Sequence, residues 1–346
     1  MGKPILLCDT KGMDRERWLE CRMHGPKGDI EYTVGGSDVA AIFGLSPFIT
    51  PLELWRVKKG LMEPPKSRNE DQLEMGQLLE PIVAHWYGKK TGFKVIEDSG
   101  MYQHADHDYA LVNIDYRFEE PSGATGVLEC KTTTYHKASE WADGALPIYY
   151  EFQLRYYLAV MDQDVGDFAC LWGNNPNNDM ATPRLLRDKF KEDLIFEKLD
   201  QWIWSLRNDK PPTMADVNPS LAMEALARIY GASNPALPTI EFSTKQEHAL
   251  RRIALLQAEN AEHKGIINSN EKEIEAHSVR IAEIMKEHEH GILEMAADKL
   301  LIDFVTKTTR RVSSDLLKKN HPTVYQECLK PSESRKIKVT VEPVAI

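Results

Sequence analysis

The chain has no Cys-x-x-Cys pair, no apolar run long enough to span a bilayer, and no excess of positive charge. Each absence removes a class of protein. Cys8, Cys21, Cys130, Cys170 and Cys328 lie far apart along 346 residues. A regularly spaced zinc site or a disulfide framework is therefore not expected, and an iron–sulfur cluster is disfavoured; reduced, mostly buried thiols are the expectation. A membrane span needs about 20 apolar residues. Residues 1–10 carry only the short patch Ile5-Leu6-Leu7 and lack the plan of a signal peptide. The expectation is a cytoplasmic protein without membrane partners. The net charge of −10 excludes a surface coated in positive charge. It does not exclude an enzyme acting on a polyanion, because acidic metal ligands lower the total while affinity depends on a local basic track.

Four regions can be drawn. Residues 1–215 hold most of the aromatic residues and mix helical with strand-like patterns. Residues 216–242 read as a linker with a short helix around Leu221 to Tyr230, between Pro211-Pro212 and the loose Asn234-Pro235-Ala236-Leu237-Pro238 stretch. Residues 243–290 read as one long helix, with Ser243 and Gln246 spaced as a capping box. One heptad position runs Ile253, Asn260, Ile267, Ile274, Ile281; the other runs Leu256, His263, Asn270, His277, Ile284. Polar residues in a seam cost stability and can fix register or partner number. A surface helix packed by one stripe and an inter-chain coiled coil are both open on this pattern. The histidines of this segment are too far apart along a rod for a metal site. Residues 291–346 form a small basic region whose cations cluster as Arg310-Arg311, Lys318-Lys319 and Arg335-Lys336-x-Lys338.

The chemistry concentrates in the first region. Asn113-Ile114-Asp115 ends one apolar run, and Gly126-Val127-Leu128-Glu129-Cys130-Lys131 forms the next. Side chains alternate along a strand, so Glu129 and Lys131 share a face while Cys130 points away. If the two runs pair, Asp115 joins them, giving two carboxylates beside an ammonium. That combination suits a hard divalent cation and phosphodiester hydrolysis. Upstream, residues 72–90 read as a helix with an apolar stripe of Leu73, Leu78, Leu79, Ile82, Val83 and Trp86. Glu80 lies within that stripe beside Pro81, where the helix is expected to begin or bend. A carboxylate there needs a cation or an ion pair. Downstream, residues 149–161 read as a helix on which Gln153 and Tyr157 share a face, and Asp167 to Trp172 as a buried strand.

Taken in order, Glu80, Asp115, Glu129-Cys130-Lys131 and Gln153-x-x-x-Tyr157 resemble the core of the PD-(D/E)xK nucleases, closest to the YqaJ-like viral recombinase and phage lambda exonuclease family. Gly35-Gly36-Ser37-Asp38 through Pro47, running into Thr50-Pro51-Leu52-Glu53-Leu54-Trp55, is similar to the opening of that family. The matches span roughly residues 18–205. The resemblance implies an α/β restriction-endonuclease-like core, a central mixed sheet flanked by helices, with a mostly helical C-terminal extension containing the long coiled-coil-like helix. It also implies a Mg²⁺-dependent 5′-to-3′ exonuclease that digests one strand from duplex DNA ends. Such an enzyme leaves 3′ overhangs for a single-strand annealing protein in the cytoplasm of a bacterial host cell.

Under that reading Asp115, Glu129 and the Cys130 carbonyl bind Mg²⁺, with Mn²⁺ expected to substitute. Glu80 shares in a second ion or binds through water. Lys131 orients or helps deprotonate the attacking water, and Gln153 and Tyr157 buttress Lys131 or contact DNA. A homo-oligomer, by resemblance a closed trimeric ring, is implied as well. Ser37 reads physically as the cap of a helix running to Ile42, its two preceding glycines letting a ligand approach the backbone. The resemblance implies that Ser37, with Arg22, holds the 5′-terminal phosphate, although residues 23–33 look like an insertion between them. Two other readings compete: a single-strand or structure-specific nuclease on the same core, and a non-catalytic DNA-binding or assembly protein.

Overall fold

The computed structural model describes residues 2–65, 70–214, 216–330 and 336–341. Arg335 of the third basic cluster and position 215, the expected end of the first region, lie outside the described residues. The chain divides into two compact units, Met1–Gly231 and Ala232–Ile346.

The first unit opens with β1 (Ile5–Asp9), α1 (Arg15–His24), α2 (Gly36–Ile42), α3 (Pro51–Lys58) and α4 (Glu70–Thr91). Five strands follow: β2 (Lys94–Glu97), β3 (Gly100–Gln103), β4 (Leu111–Asn113), β5 (Tyr116–Glu119) and β6 (Thr125–Thr132). The remainder is α5 (Ile148–Met161), β7 (Val165–Leu171), β8 (Met180–Ala181), β9 (Arg184–Leu186), α6 (Lys189–Arg207) and α7 (Pro219–Tyr230). Among the described residues the main sheet runs β2-β5-β6-β7-β8, with β9 also on β7, and a smaller sheet runs β1-β3-β4. Strands β2, β5 and β6 are antiparallel, and β6 and β7 are parallel. A parallel step needs a crossover, and α5 supplies it. The result is an α/β core, a mixed sheet flanked by helices, as the resemblance implied.

Alternation along β6 decides what each face holds. Leu128 and Cys130 pack with Val83, Ala84 and Tyr87 of α4, whereas Val127 packs with Leu154 and Leu158 of α5. Glu129 and Lys131 have the parity of Val127 and therefore belong to the α5 side. Helix α5 is buried from Gln153 to Met161 without a polar face. This is the pattern of a helix enclosed on all sides. Leu154 and Leu158 are fully buried, each stabilising the fold by about 1.5–3 kcal/mol.

Helix α4 departs from its expected stripe. Of the six residues named from periodicity, only Val83 is buried; Leu73, Leu78 and Ile82 are exposed. The packed face is Val83, Ala84 and Tyr87, set by contact with β6 rather than by the densest apolar run. The helix neither begins nor ends at Pro81, which lies inside it. Helix α7, read as part of a linker, docks within this unit: Arg228 bonds the fully buried Glu53 of α3 at 2.7 Å.

The second unit contains α8 (Glu247–Met285), the antiparallel pair β10 (His290–Glu294) and β11 (Lys299–Asp303), then α9 (Ser314–Asn320) and α10 (Pro322–Cys328). Ser243 does not cap α8. It precedes a short 3₁₀ turn, and its hydroxyl donates to the Gln246 side chain at 2.8 Å. The helix stops at Met285 because Lys286 takes a positive φ of 50°, so residues 290–294 are strand instead of helix. Among the described residues no helix is long and apolar enough to cross a membrane.

Candidate active site

Strands β5 and β6 pair antiparallel from Tyr116↔Leu128 to Glu119↔Thr125. Asp115 occupies the bend between β4 and β5, where the chain leaves the small sheet for the large one. Its Oδ2 accepts the Cys130 N–H at 2.9 Å, which binds the bend to β6. Sequence periodicity overlooked β5 as a strand, yet β5 is what carries Asp115 to Glu129.

On the α5 face the polar side chains form one chain of bonds. Lys131 Nζ lies 2.6 Å from Glu129 Oε1. Gln153 Nε2 donates to the same oxygen at 2.6 Å and to Tyr157 Oη at 2.9 Å. Glu129 Oε2 is buried and has no partner among the described residues. A buried carboxylate oxygen left without a donor is costly, on the order of 1–3 kcal/mol or more for a charged group. This is the acceptor that a cation would satisfy.

The charges agree. Burial, then Asp115 and Glu80, push the Glu129 carboxyl up to about 8, against the pull of Lys131. Burial and Asp115 push Glu80 up to about 7, with Glu97 adding to the rise. Asp115 is also raised, burial outweighing Lys131 and the Cys130 N–H. The Lys131 ammonium is held well above its ordinary value because Glu129 and Asp115 overcome its burial. Three carboxyls with one cation leave a deficit of positive charge.

Among the described residues no group of three or more His, Cys, Asp or Glu side chains is gathered tightly enough to cage a metal ion. Glu80 therefore acts on the pair Asp115 and Glu129 through space. Mg²⁺ requires no such cage: it usually takes one or two carboxylates and keeps several waters. The donor set of Asp115, Glu129 with its orphaned oxygen, and the Cys130 carbonyl fits a hard divalent ion.

The upstream motif joins this site. Arg22 Nη2 donates to Ser37 Oγ at 2.5 Å, and its guanidinium sits 5.2 Å from the centre of the Trp18 ring. The insertion between them closes on itself, since the Thr33 hydroxyl donates to the Arg22 carbonyl at 2.6 Å. Ser37 is not the cap expected from sequence. Gly35 holds that position, and the Asp38 carboxylate accepts the Gly35 N–H at 3.0 Å. Nor do the glycines leave space for a ligand. A Cβ on Gly35 would fall 2.9 Å from Arg22 Nη2, and one on Gly36 would overlap the Tyr157 ring. Lys58 and Arg22 hold Asp38 below the usual carboxylate range despite its burial.

Sequence reading missed Tyr150, whose ring centre lies 5.6 Å from Lys131 Nζ. It stands three residues before Gln153 and seven before Tyr157 on α5, so helical spacing alone could have found it.

Residues 17–164 match the family model of the YqaJ-like viral recombinase domain. Among curated proteins the chain is 28% identical over 336 residues to the uncharacterized protein YqaJ of Bacillus subtilis (strain 168), covering 96% of each. Among solved structures it resembles the alkaline exonuclease LHK-Exo of Laribacter hongkongensis, with 18% identity, 56% of this chain, 94% of that one and a TM-score of 0.45. It also resembles a phage-related exonuclease from Haemophilus somnus 129PT, with 13% identity, 51% of this chain, 92% of that one and a TM-score of 0.39.

Proposed function

We propose, from the match of residues 17–164 to the family model of the YqaJ-like viral recombinase domain, that this protein is a Mg²⁺-dependent DNA exonuclease. The observation carrying the proposal is the bonded set Asp115, Glu129, Lys131, Gln153 and Tyr157, with one carboxylate oxygen of Glu129 buried and unpartnered. Asp115, Glu129 and the Cys130 carbonyl would hold Mg²⁺, or Mn²⁺ in its place. When bound, such an ion offsets charge on the scissile phosphate and makes water a better nucleophile.

The protein's own groups then divide the work. Gln153 fixes the Glu129 carboxylate by a bond at 2.6 Å and leaves Oε2 for the cation. Without a cation bound, burial of Lys131 is outweighed by Glu129 and Asp115, which hold its ammonium above the ordinary value. Lys131 would orient or help deprotonate the attacking water and oppose the negative charge that builds on the phosphoryl oxygens. Tyr157 supports Gln153 and closes the site on the Gly36 side. Arg22 and Ser37, bonded to one another beside Tyr157, offer a guanidinium and a hydroxyl to a terminal phosphate.

On this reading the enzyme enters at duplex ends, removes the 5′-ended strand and hands the 3′ overhang to a single-strand annealing protein. Digestion of linear duplex labelled at each end in turn, with Mg²⁺, tests it. Loss of label from 5′ ends, faster with 5′-phosphate than with 5′-hydroxyl, is the expected result. Cleavage confined to single strands or branched DNA would replace the proposal with a structure-specific nuclease.

A further inference from the structure

We infer that α8 pairs in parallel and in register with α8 of a second copy of this chain, along a seam formed by Asn260, Ile267, Ile274, Ile281 and Ile284. The helix has 39 residues and so extends about 58 Å. Helices draw most of their stability from burying an apolar face, yet among the described residues of α8 only Met285 is buried. Ile267, Ile274, Ile281 and Ile284 are 54%, 65%, 46% and 76% exposed. The tail crosses α8 at Gln257, which bonds the backbone of Ile337 and Val339. That crossing leaves the seam from Asn260 onward open.

The residues identify the partner as a copy of the same helix. Isoleucine fills one heptad position at 253, 267, 274 and 281, with Asn260 as its single polar member; the other position carries His263, Asn270 and His277. In a parallel pair each position meets itself, so isoleucine packs on isoleucine and polar residues face polar residues. An antiparallel pair sets one position against the other, placing Ile267 against His263 or Asn270. An unrelated apolar helix would leave the Asn260 amide unpaired, whereas its own copy offers a matching donor and acceptor. In the parallel arrangement Glu259 also faces Lys264 of the second copy, once on each side. At its C-terminal end the seam lines a cleft of about 650 Å³ whose far wall includes Ile302 of β11 and Phe304 just after it.

The test uses the full chain with Cys328→Ser, which removes the exposed thiol. Asn260→Cys should form an inter-chain disulfide under mild oxidation, because in-register seam positions approach within about 6 Å of each other. Lys272→Cys, on the outer face of the same helix, should not. In sedimentation equilibrium Ile267→Glu with Ile274→Glu should weaken self-association by on the order of 100-fold. Both isoleucines are exposed in the single chain, so a parental near-ultraviolet circular dichroism spectrum, which reports the tryptophans between residues 18 and 204, establishes that the first unit of the variant is folded. Failure of position 260 to cross-link above position 272 overturns the pairing. So does a sedimenting mass unmoved by the two glutamates.

Discussion

The Tyr157 ring occupies the space in which any side chain on Gly36 would stand. Two segments 121 residues apart thus share one surface, and the opening motif is tied to the catalytic network through a van der Waals contact. Gly36→Ala should force the ring aside and, through the 2.9 Å bond from Gln153 to Tyr157, disturb Glu129. Overpacking of this kind costs about 1–3 kcal/mol. Cleavage should fall by at least about tenfold, given how steeply rate depends on positioning. Thermal melts and initial rates measured side by side would test this, and an alanine variant of unchanged rate and melting temperature would refute the coupling.

Lys131→Ala should lower the rate on duplex DNA by about 10³-fold, the scale of a lost charge stabiliser in a water-poor site. Binding of the same duplex should change little. Lys131→Arg should recover only part of the activity, because a planar fork cannot replace a point charge. Full cleavage by the alanine variant with Mg²⁺ present would remove Lys131 from the mechanism.

The site was more legible than its scaffold. Glu129 and Lys131 share a face by strand alternation, Gln153 and Tyr157 by helical spacing, and both rules are local. What escaped depended on tertiary contact. Tyr116 to Glu119, with charged Arg117 and Glu119 alternating, reads as a turn until β6 pairs with it. The face α4 buries is chosen by β6, so its outward leucines misdirect any periodicity argument. Ser37 looks like a cap because its side chain is right for one, but Asp38 closes on the Gly35 amide and frees Ser37 for Arg22. Glycine likewise signals close approach without saying what approaches.

The raised carboxyls make the cation-free protein sensitive to alkali. Glu129 at about 8 and Glu80 at about 7 lie above the ordinary carboxyl value of 4.5, so between those limits the folded chain binds more protons than the unfolded one. Stability from these groups is present at low pH and is lost as pH rises towards 8. Mg²⁺ needs the same protons gone, so its stabilising effect should grow over that interval. Melting temperatures with chelator and with Mg²⁺, from pH 5.5 to 8.5, should diverge by several degrees. Buried His104, shifted down mainly by burial, works in the opposite sense, so the comparison is with Glu129→Gln, in which the divergence should shrink. Equal slopes in parent and variant would exclude Glu129 as the source.

Glu53 is fully buried, and its Oε2 accepts from the Thr50 N–H and hydroxyl while Arg228 bonds Oε1. Arg228→Ala would leave the second oxygen with no cation. A fully buried pair broken this way costs about 3–5 kcal/mol. Because Arg228 is about a third exposed, roughly 2 kcal/mol is the better expectation for this pair. Protease should then cut near α7 before it reaches the sheet. Arg228→Ala with Glu53→Gln should recover much of the loss, and no recovery would mean that the arginine acts through packing alone.

Arg22 is held against Ser37 at 2.5 Å, with Trp18 beneath its guanidinium. A cation fixed by an aromatic ring and a hydroxyl loses little freedom when a phosphate arrives. If the pair reads the strand end, Arg22→Ala should erase the preference for 5′-phosphate over 5′-hydroxyl duplex, worth about 1.5–3 kcal/mol for a charged hydrogen bond. Cleavage of 5′-hydroxyl duplex should stay near the parental rate. Ser37→Ala should act the same way but more weakly, since it removes a neutral group and frees the arginine to move. The comparison needs both termini on both variants, because a uniform loss would point to damage at Tyr157 across Gly36. A preference that survives in Arg22→Ala would take end recognition away from this pair and return Ser37 to a structural role on α2.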